Sequence, residues 1–139
     1  MTASLAGRSV AELMTRDPIV ANVDMPLLKA AQLMDLNRVS GLPVIDAGGR
    51  LVGVISQTDL LHARTTEALW REWPGLTVRH LMSQPAVAVR SDATIAEAAE
   101  LMERARIHRV VVLAADGEAP IGVLSVTDLV RDMAAGDES

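Results

Sequence analysis

Cysteine, phenylalanine and tyrosine are all missing from this chain of 139 residues, and tryptophan occurs only twice. Without thiols there is no route to a disulfide framework, a thiolate zinc site, an iron–sulfur cluster or a cysteine nucleophile. With only two indole rings, an aromatic stacking platform for single-stranded nucleic acid is not expected. The interior must be filled by Val, Leu, Ile, Ala and Met, which supply most of a composition that is 50% hydrophobic. A surplus of positive charge is also lacking: the formal net charge is -5, which argues against a general electrostatic grip on DNA, RNA or anionic lipid. Partners are therefore expected to be small molecules or proteins, with no membrane and no nucleic acid. No segment has the apolar length needed to cross a bilayer, and the opening MTASLAGRSV has no signal-peptide pattern. The expectation is a cytoplasmic protein.

Catalytic signatures are equally scarce. There is no Walker loop, no GxGxxG fingerprint and no nucleophile elbow. The three histidines, His62, His80 and His108, are scattered without acidic partners at metal-ligand spacing, so no metal site is expected. Neither an enzyme nor a resident cofactor is anticipated.

What the chain does have is a copy of itself. Val10-Ala-Glu-Leu-Met14 returns as Val78-Arg-His-Leu-Met82, and Ala30-Ala-Gln-Leu-Met34 as Ala98-Ala-Glu-Leu-Met102, both at an offset of 68 residues. Gly53-Val-Ile-Ser-Gln-Thr-Asp59 returns as Gly122-Val-Leu-Ser-Val-Thr-Asp128 at an offset of 69. Such self-similarity defines architecture before any propensity argument. Residues 9–61 form one repeat and 78–131 the other, with 62–77 as a connector that reads as helix until Pro74-Gly75 stops it.

Each copy carries the same order of signals. A helical lead-in at Val10 or Val78 precedes a short apolar strand after TRDP or SQP. Leu27, Ala30, Ala31 and Met34, like Ile95, Ala98, Ala99 and Met102, then recur at helical spacing. Pro26 suits the first turn of the earlier helix, and Thr94 with Glu97 has capping-box spacing in the later one. Hairpins follow at 42–56 and 110–125, and a second helix starts near each Thr-Asp pair. The plan is α/β (α+β): strand, helix, strand, strand, helix. One such unit is too small to cover both faces of its sheet, so two copies related by a pseudo-twofold axis are expected to form a single module over 1–139. Matching Met14, Met34, Met82 and Met102 read as core packing. Trp70 and Trp73 either seal the connector onto the domain, the preferred reading, or mark an interface.

The junction of strand and helix in GVISQTD and GVLSVTD offers hydroxyls (Ser56, Thr58, Ser125, Thr127), a carboxylate (Asp59, Asp128) and a helix N-terminus. A carboxylate repels phosphate but matches the hydroxyls of a ribose, which points to a nucleoside. Ser, Thr and Asp are also preferred helix caps, so a purely structural role stands beside the binding role. Gly53 and Gly122, inside strand patterns, imply close approach by a ligand or by another backbone.

These strings, with Asn37-Arg-Val-Ser-Gly-Leu-Pro-Val-Ile-Asp46 ahead of the first, resemble the CBS domain family over roughly Val10 to Val130. The resemblance implies a tandem pair, or Bateman module, that binds AMP, ADP, ATP or S-adenosylmethionine in clefts between repeats and associates as a flat homodimer. It also implies residue roles. In the cleft of the second motif, Asp128 would hold the ribose, Ser125 and Thr127 would sit at ribose or phosphate, and Arg109 would bind phosphate, with Ile19, Val39 and Ser40 cradling the base. In the cleft of the first, Asp59, Ser56 and Thr58 take the equivalent places, faced by Ala86, Ile107 and His108. Aligning the repeats sets Ser40 opposite His108 and Gly41 opposite Arg109, so only the second motif has a phosphate arginine and it should favour charged nucleotides. Arg104 and Arg106 read as helix-end charges, while Arg38 is ambiguous between that role and binding. The expected function is a regulatory sensor that acts on an unidentified protein target; the alternative is a ligand-free dimerisation scaffold.

Overall fold

The computed structural model describes residues 4–135. In chain order the elements are α1 (Val10–Leu13), β1 (Thr15–Arg16), β2 (Ala21–Asn22), α2 (Leu27–Asn37), β3 (Gly41–Ile45), β4 (Leu51–Ser56), α3 (Gln57–Thr65), α4 (Glu67–Trp70), α5 (Val78–Leu81), β5 (Ala88–Arg90), α6 (Ile95–Ala105), β6 (Arg109–Leu113), β7 (Pro120–Ser125) and α7 (Val126–Ala134). This is the mixed α/β fold expected from the repeats. It forms two compact units, and neither follows a repeat from end to end. One is Ile19–Ala86; the other joins the described residues before Ile19 to those after Ala86.

In the Ile19–Ala86 unit a three-stranded sheet runs β2-β3-β4, parallel then antiparallel. Helix α2 lays Leu27, Ala30 and Met34 on it, each no more than 2% exposed, and Leu42, Val44 and Ile55 meet them from the strands. Val78, from the lead-in of the second repeat, is fully buried in this same core. It is held by its own N–H to the Met25 carbonyl (2.9 Å) and by the Arg79 N–H to that of Val23 (3.0 Å). The other unit repeats the scheme with the sheet order β1-β7-β6-β5. Ile95, Ala98 and Met102 of α6 pack on Val110, Val112 and Leu124. Its core is completed by Val10, from the lead-in of the first repeat, whose N–H reaches the Ala93 carbonyl at 2.8 Å. Each lead-in thus completes the core of the other repeat.

Local chemistry explains the element boundaries. Pro26 stands one position earlier than expected, as the N-cap of α2. Thr94 caps α6 by accepting the Glu97 N–H (3.2 Å), but the Glu97 carboxylate returns to the Thr94 hydroxyl, so only half of the expected box forms. Both α2 and α6 end on an arginine in the left-handed region, Arg38 at φ 54° and Arg106 at φ 56°. The next N–H, of Val39 or Ile107, reaches back to Met34 or Met102 at 3.0 Å, closing a Schellman turn that redirects the chain into the hairpin. Arg104 pairs on the surface with Glu100 (3.3 Å), so the helix-end reading holds for both it and Arg106.

The first hairpin turns at Asp46, whose carboxylate accepts N–H bonds from Gly48 (2.9 Å) and Arg50 (3.0 Å). The Arg50 N–H, then that of Gly48 and the Arg50 guanidinium hold this carboxyl below its usual range against the opposing effect of desolvation. In the connector, Trp73 packs on the core with the Arg64 guanidinium 5.0 Å from its ring centre, whereas Trp70 is 50% exposed. Sealing therefore describes Trp73 and not Trp70.

Candidate functional site

The two Gly-to-Asp strings occupy the corners β4–α3 and β7–α7. Strand β4 delivers Ser56 in extended conformation to the N-cap of α3. Its hydroxyl accepts the Asp59 N–H (3.2 Å), while Asp59 Oδ2 accepts both the Ser56 N–H (2.8 Å) and the Ser56 hydroxyl (2.9 Å). Thr58 Oγ1 lies 2.9 Å from Ser56 Oγ. The second corner repeats the cap: Ser125 Oγ accepts the Asp128 N–H at 3.1 Å, and Asp128 Oδ2 accepts the Ser125 N–H at 2.9 Å. Both aspartates are therefore members of capping boxes, and the cap accounts for one oxygen of each. The N–H groups of Gln57 and Val126 are also engaged, by the carbonyls of Ser40 and His108 at 2.9 Å. Fewer donors remain at these corners than a bare helix N-terminus would offer.

The two second oxygens differ. Asp59 Oδ1 has no protein partner among the described residues, leaving an acceptor beside the Ser56 and Thr58 hydroxyls. Asp128 Oδ1 receives long bonds from the Thr15 hydroxyl (3.5 Å) and Arg131 Nη1 (3.4 Å). The Asp128 side chain is 10% exposed and that of Arg131 72%, so the arginine arm is solvent-screened and readily displaced.

The ladder places Arg109 directly opposite Ser125, and Gly41 directly opposite Ser56. Arg109 is exposed and makes no ion pair among the described residues. One corner thus has a free cation across from its hydroxyl, and the other has a glycine. This register agrees with the repeat alignment made from sequence.

The remaining site residues divide between the units. Ile19, Val39, Ser40 and Ala86 belong to Ile19–Ala86, whereas Ile107 and His108 belong with α6 and β6. Ile19 and Ser40 are exposed, and Val39 and Ala86 are half-buried. Ile107 and His108 line a groove of about 810 Å³ between α6 and α7, with a floor that includes Ile95, Met102 and Leu129. Sequence reasoning missed this groove. Its signal was the row Val126, Val130 and Met133, spaced to share one face of α7, each 40–54% exposed.

Gly53 and Gly122 have a definite task. A Cβ on Gly53 would lie 2.7 Å from the Ser83 carbonyl oxygen and 3.1 Å from Met82 Sδ; one on Gly122 would lie 2.9 Å from the Thr15 carbonyl oxygen and 2.7 Å from Met14 Sδ. At both glycines the neighbour is a methionine lead-in end: its side chain and the carbonyl of the next residue stand where a Cβ would be.

Two similar units, each with a polar strand-to-helix corner of the same composition, define a duplicated α/β module in which one architecture presents two related corners. The chain belongs to the CBS domain family, which matches residues 10–65 and 78–135 as a tandem pair. Among solved structures it is similar to CBSX2 from Arabidopsis thaliana, with 31% identity and a TM-score of 0.80 over 96% of this chain and 99% of that one. It is likewise similar to CBSX2 in complex with AMP, with 30% identity and a TM-score of 0.80 over 95% and 100%. Among curated proteins it is 28% identical over 120 residues to inosine-5'-monophosphate dehydrogenase of Methanocaldococcus jannaschii, covering 86% of this chain and 22% of the dehydrogenase. It is also 28% identical over 120 residues to 5'-AMP-activated protein kinase subunit gamma-3 of Bos taurus, covering 84% of this chain and 24% of that subunit. The chain spans between 22% and 36% of the first three curated relatives it matches. No helix among the described residues is long and apolar enough to cross a membrane.

Proposed function

We propose that this CBS pair is a regulatory module that binds an adenosine compound, AMP, ADP, ATP or S-adenosylmethionine, and acts by conformational change on a protein partner without transforming the ligand. The observation that carries the reading is the second corner: Asp128 and Ser125 on one side of the ladder, with an unpaired Arg109 directly across from the serine. A ribose hydroxyl can exchange for the weak Arg131 contact at Asp128 Oδ1, while Arg109, Ser125 and Thr127 meet phosphate. The first corner offers Asp59, Ser56 and Thr58 without a cation, which suits a ligand with less negative charge. The complex of the similar CBSX2 with AMP supports the ligand class.

The scaffold reading has its own support, because both aspartates already act as caps. Thermal unfolding separates the two. A ligand at about 100 times its dissociation constant adds roughly 2.7 kcal/mol to stability, so a rise of several degrees is expected with at least one of the four compounds. No shift with any of them favours the scaffold.

We further propose that the protein partner nearest at hand is a second copy of the chain, seated on the α6–α7 face. Val126, Val130 and Met133 are exposed and line the groove on its α7 side, and Glu103 and Arg106 line it from α6 and its end. A second copy related by a twofold axis would cover this apolar lining and could set Glu103 of one copy against Arg106 of the other. Val130→Glu is expected to yield a monomer at concentrations where the wild type sediments as a dimer. A wild type that sediments as a monomer at those concentrations contradicts this assignment.

A further inference from the structure

The lead-ins of the two repeats are capped by different acids and bases at the same place. At the first, the Ser9 N–H donates to Glu12 Oε1 (3.4 Å). At the second, the Thr77 N–H donates to His80 Nδ1 (2.9 Å), with the Thr77 hydroxyl 3.2 Å from the same nitrogen. A backbone N–H can only donate, so Nδ1 must carry a lone pair and the ring proton must sit on Nε2. Protonating Nδ1 converts the acceptor into a donor and removes the cap.

What this cap heads is a strap. From Thr77 to Ser83 the chain crosses the Ile19–Ala86 unit, fixed by the buried Val78, by the N–H bonds to Met25 and Val23, and by a reciprocal pair between Ser83 and Val54 (2.9 and 3.1 Å). Val54 follows Gly53, the residue whose missing side chain admits Ser83. The strap therefore lies on the strand that ends in Ser56 and Asp59. A second imidazole stands at the other end of the connector, where His62 Nδ1 is 3.2 Å from the Thr66 hydroxyl.

We propose that His80 makes the docking of this strap proton-sensitive, because a second proton on its ring breaks the cap, while the corresponding lead-in of the first repeat, capped by a carboxylate, lacks that response. The sign follows from the hydrogen bond. The cap needs an unprotonated Nδ1, so its contribution is present on the high-pH side and is lost when a falling pH puts a second proton on the ring. Glu12 behaves otherwise. Its carboxyl is held below its usual range, first by the Arg8 side chain and then by the Ser9 N–H, so that cap survives well below pH 6. Charged or titratable groups on the elements next to α5 are Asp59, His62 and Arg64 of α3, Lys29 and Asp35 of α2, and Asp24 of the turn before α2. Of these Asp24 is taken by Arg79 at 3.0 Å. None of them donates or accepts at the His80 ring among the described residues.

The test is amide hydrogen exchange on the full chain, expressed as protection relative to the unstructured rate, between pH 7.5 and 5.5. Protection at Thr77 and Ser83 is expected to fall by about fivefold, the effect of losing one N-cap, while Ser9 stays level. In His80→Glu, which copies the other repeat, Thr77 and Ser83 should become level too. Constant protection at Thr77 or at Ser83 in the wild type overturns the proposal, as does an equal fall in His80→Glu. If that variant does not fold, the comparison of Thr77 with Ser9 inside the wild type decides alone.

Discussion

Gly53→Ala is expected to lower the unfolding free energy by about 2–3 kcal/mol, and Gly122→Ala by about 1–3 kcal/mol, in the range found for forcing extra atoms into filled space. The reason lies in what each glycine faces. At Gly53 the obstacle is a backbone oxygen 2.7 Å from the new Cβ, and that oxygen also accepts the Val54 N–H. The strap must lift, and the reciprocal Ser83–Val54 bonds are strained with it. At Gly122 the nearest atom is Met14 Sδ, the end of a flexible side chain, but Met14 is only 8% exposed and the Thr15 carbonyl stands close behind at 2.9 Å. Gly117 is the control: nothing lies within 4 Å of its Cβ position, so Gly117→Ala should stay within about 0.5 kcal/mol of wild type. Urea unfolding of the three variants checks this. A Gly53→Ala protein as stable as Gly117→Ala would show that the strap does not rest on the strand as described.

The second large effect concerns ligand affinity. Asp128→Asn keeps an oxygen for the Ser125 N–H, so the cap should survive with a loss near 1 kcal/mol or less. It removes the charge that would face a ribose. Hydrogen bonds to charged groups contribute about 1.5–3 kcal/mol, so AMP affinity should fall by about 10- to 100-fold. Arg109→Ala should weaken AMP by a similar factor and leave uncharged adenosine almost untouched, because only phosphate needs the guanidinium. Asp59→Asn should affect AMP less than Asp128→Asn does, since Gly41 leaves the first corner without a cation. Calorimetric titration of each variant measures all three. Loss of AMP binding in Asp59→Asn with retention in Asp128→Asn would reverse the ranking of the two corners.

Much of this was legible in the sequence because every signal occurs twice. The hairpin of 42–56 and its copy at 110–125, the apolar stripes of α2 and α6, and the placement of Arg109 against Gly41 all follow from laying one repeat on the other. Duplication could not reveal which repeat receives each lead-in. Val10 and Val78 are equally apolar and precede equivalent strands, and only the backbone bonds of Val10 to Ala93 and Val78 to Met25 show the exchange. The same limit applied to Gly53 and Gly122, where a small residue signals close approach but not what approaches. Asp59 and Asp128 were open to both roles because helix capping and ribose binding ask for the same oxygen chemistry; the capping role occupies Oδ2 in each and leaves the binding role to Oδ1. The α6–α7 face escaped notice because Val126, Val130 and Met133 lie beside the buried Leu129 on one side of α7, and an apolar stripe does not tell which of its members stay exposed.

The most direct test of the account is a calorimetric titration of AMP into the wild-type chain and into Asp128→Asn at the same concentration. Saturable binding by the wild type, weakened at least tenfold by the substitution while the unfolding free energy changes by no more than about 1 kcal/mol, is the predicted result. Equal affinity in the two proteins would contradict it, as would no heat from the wild type with AMP, ADP, ATP and S-adenosylmethionine alike, and either result would leave the duplicated corners as helix caps.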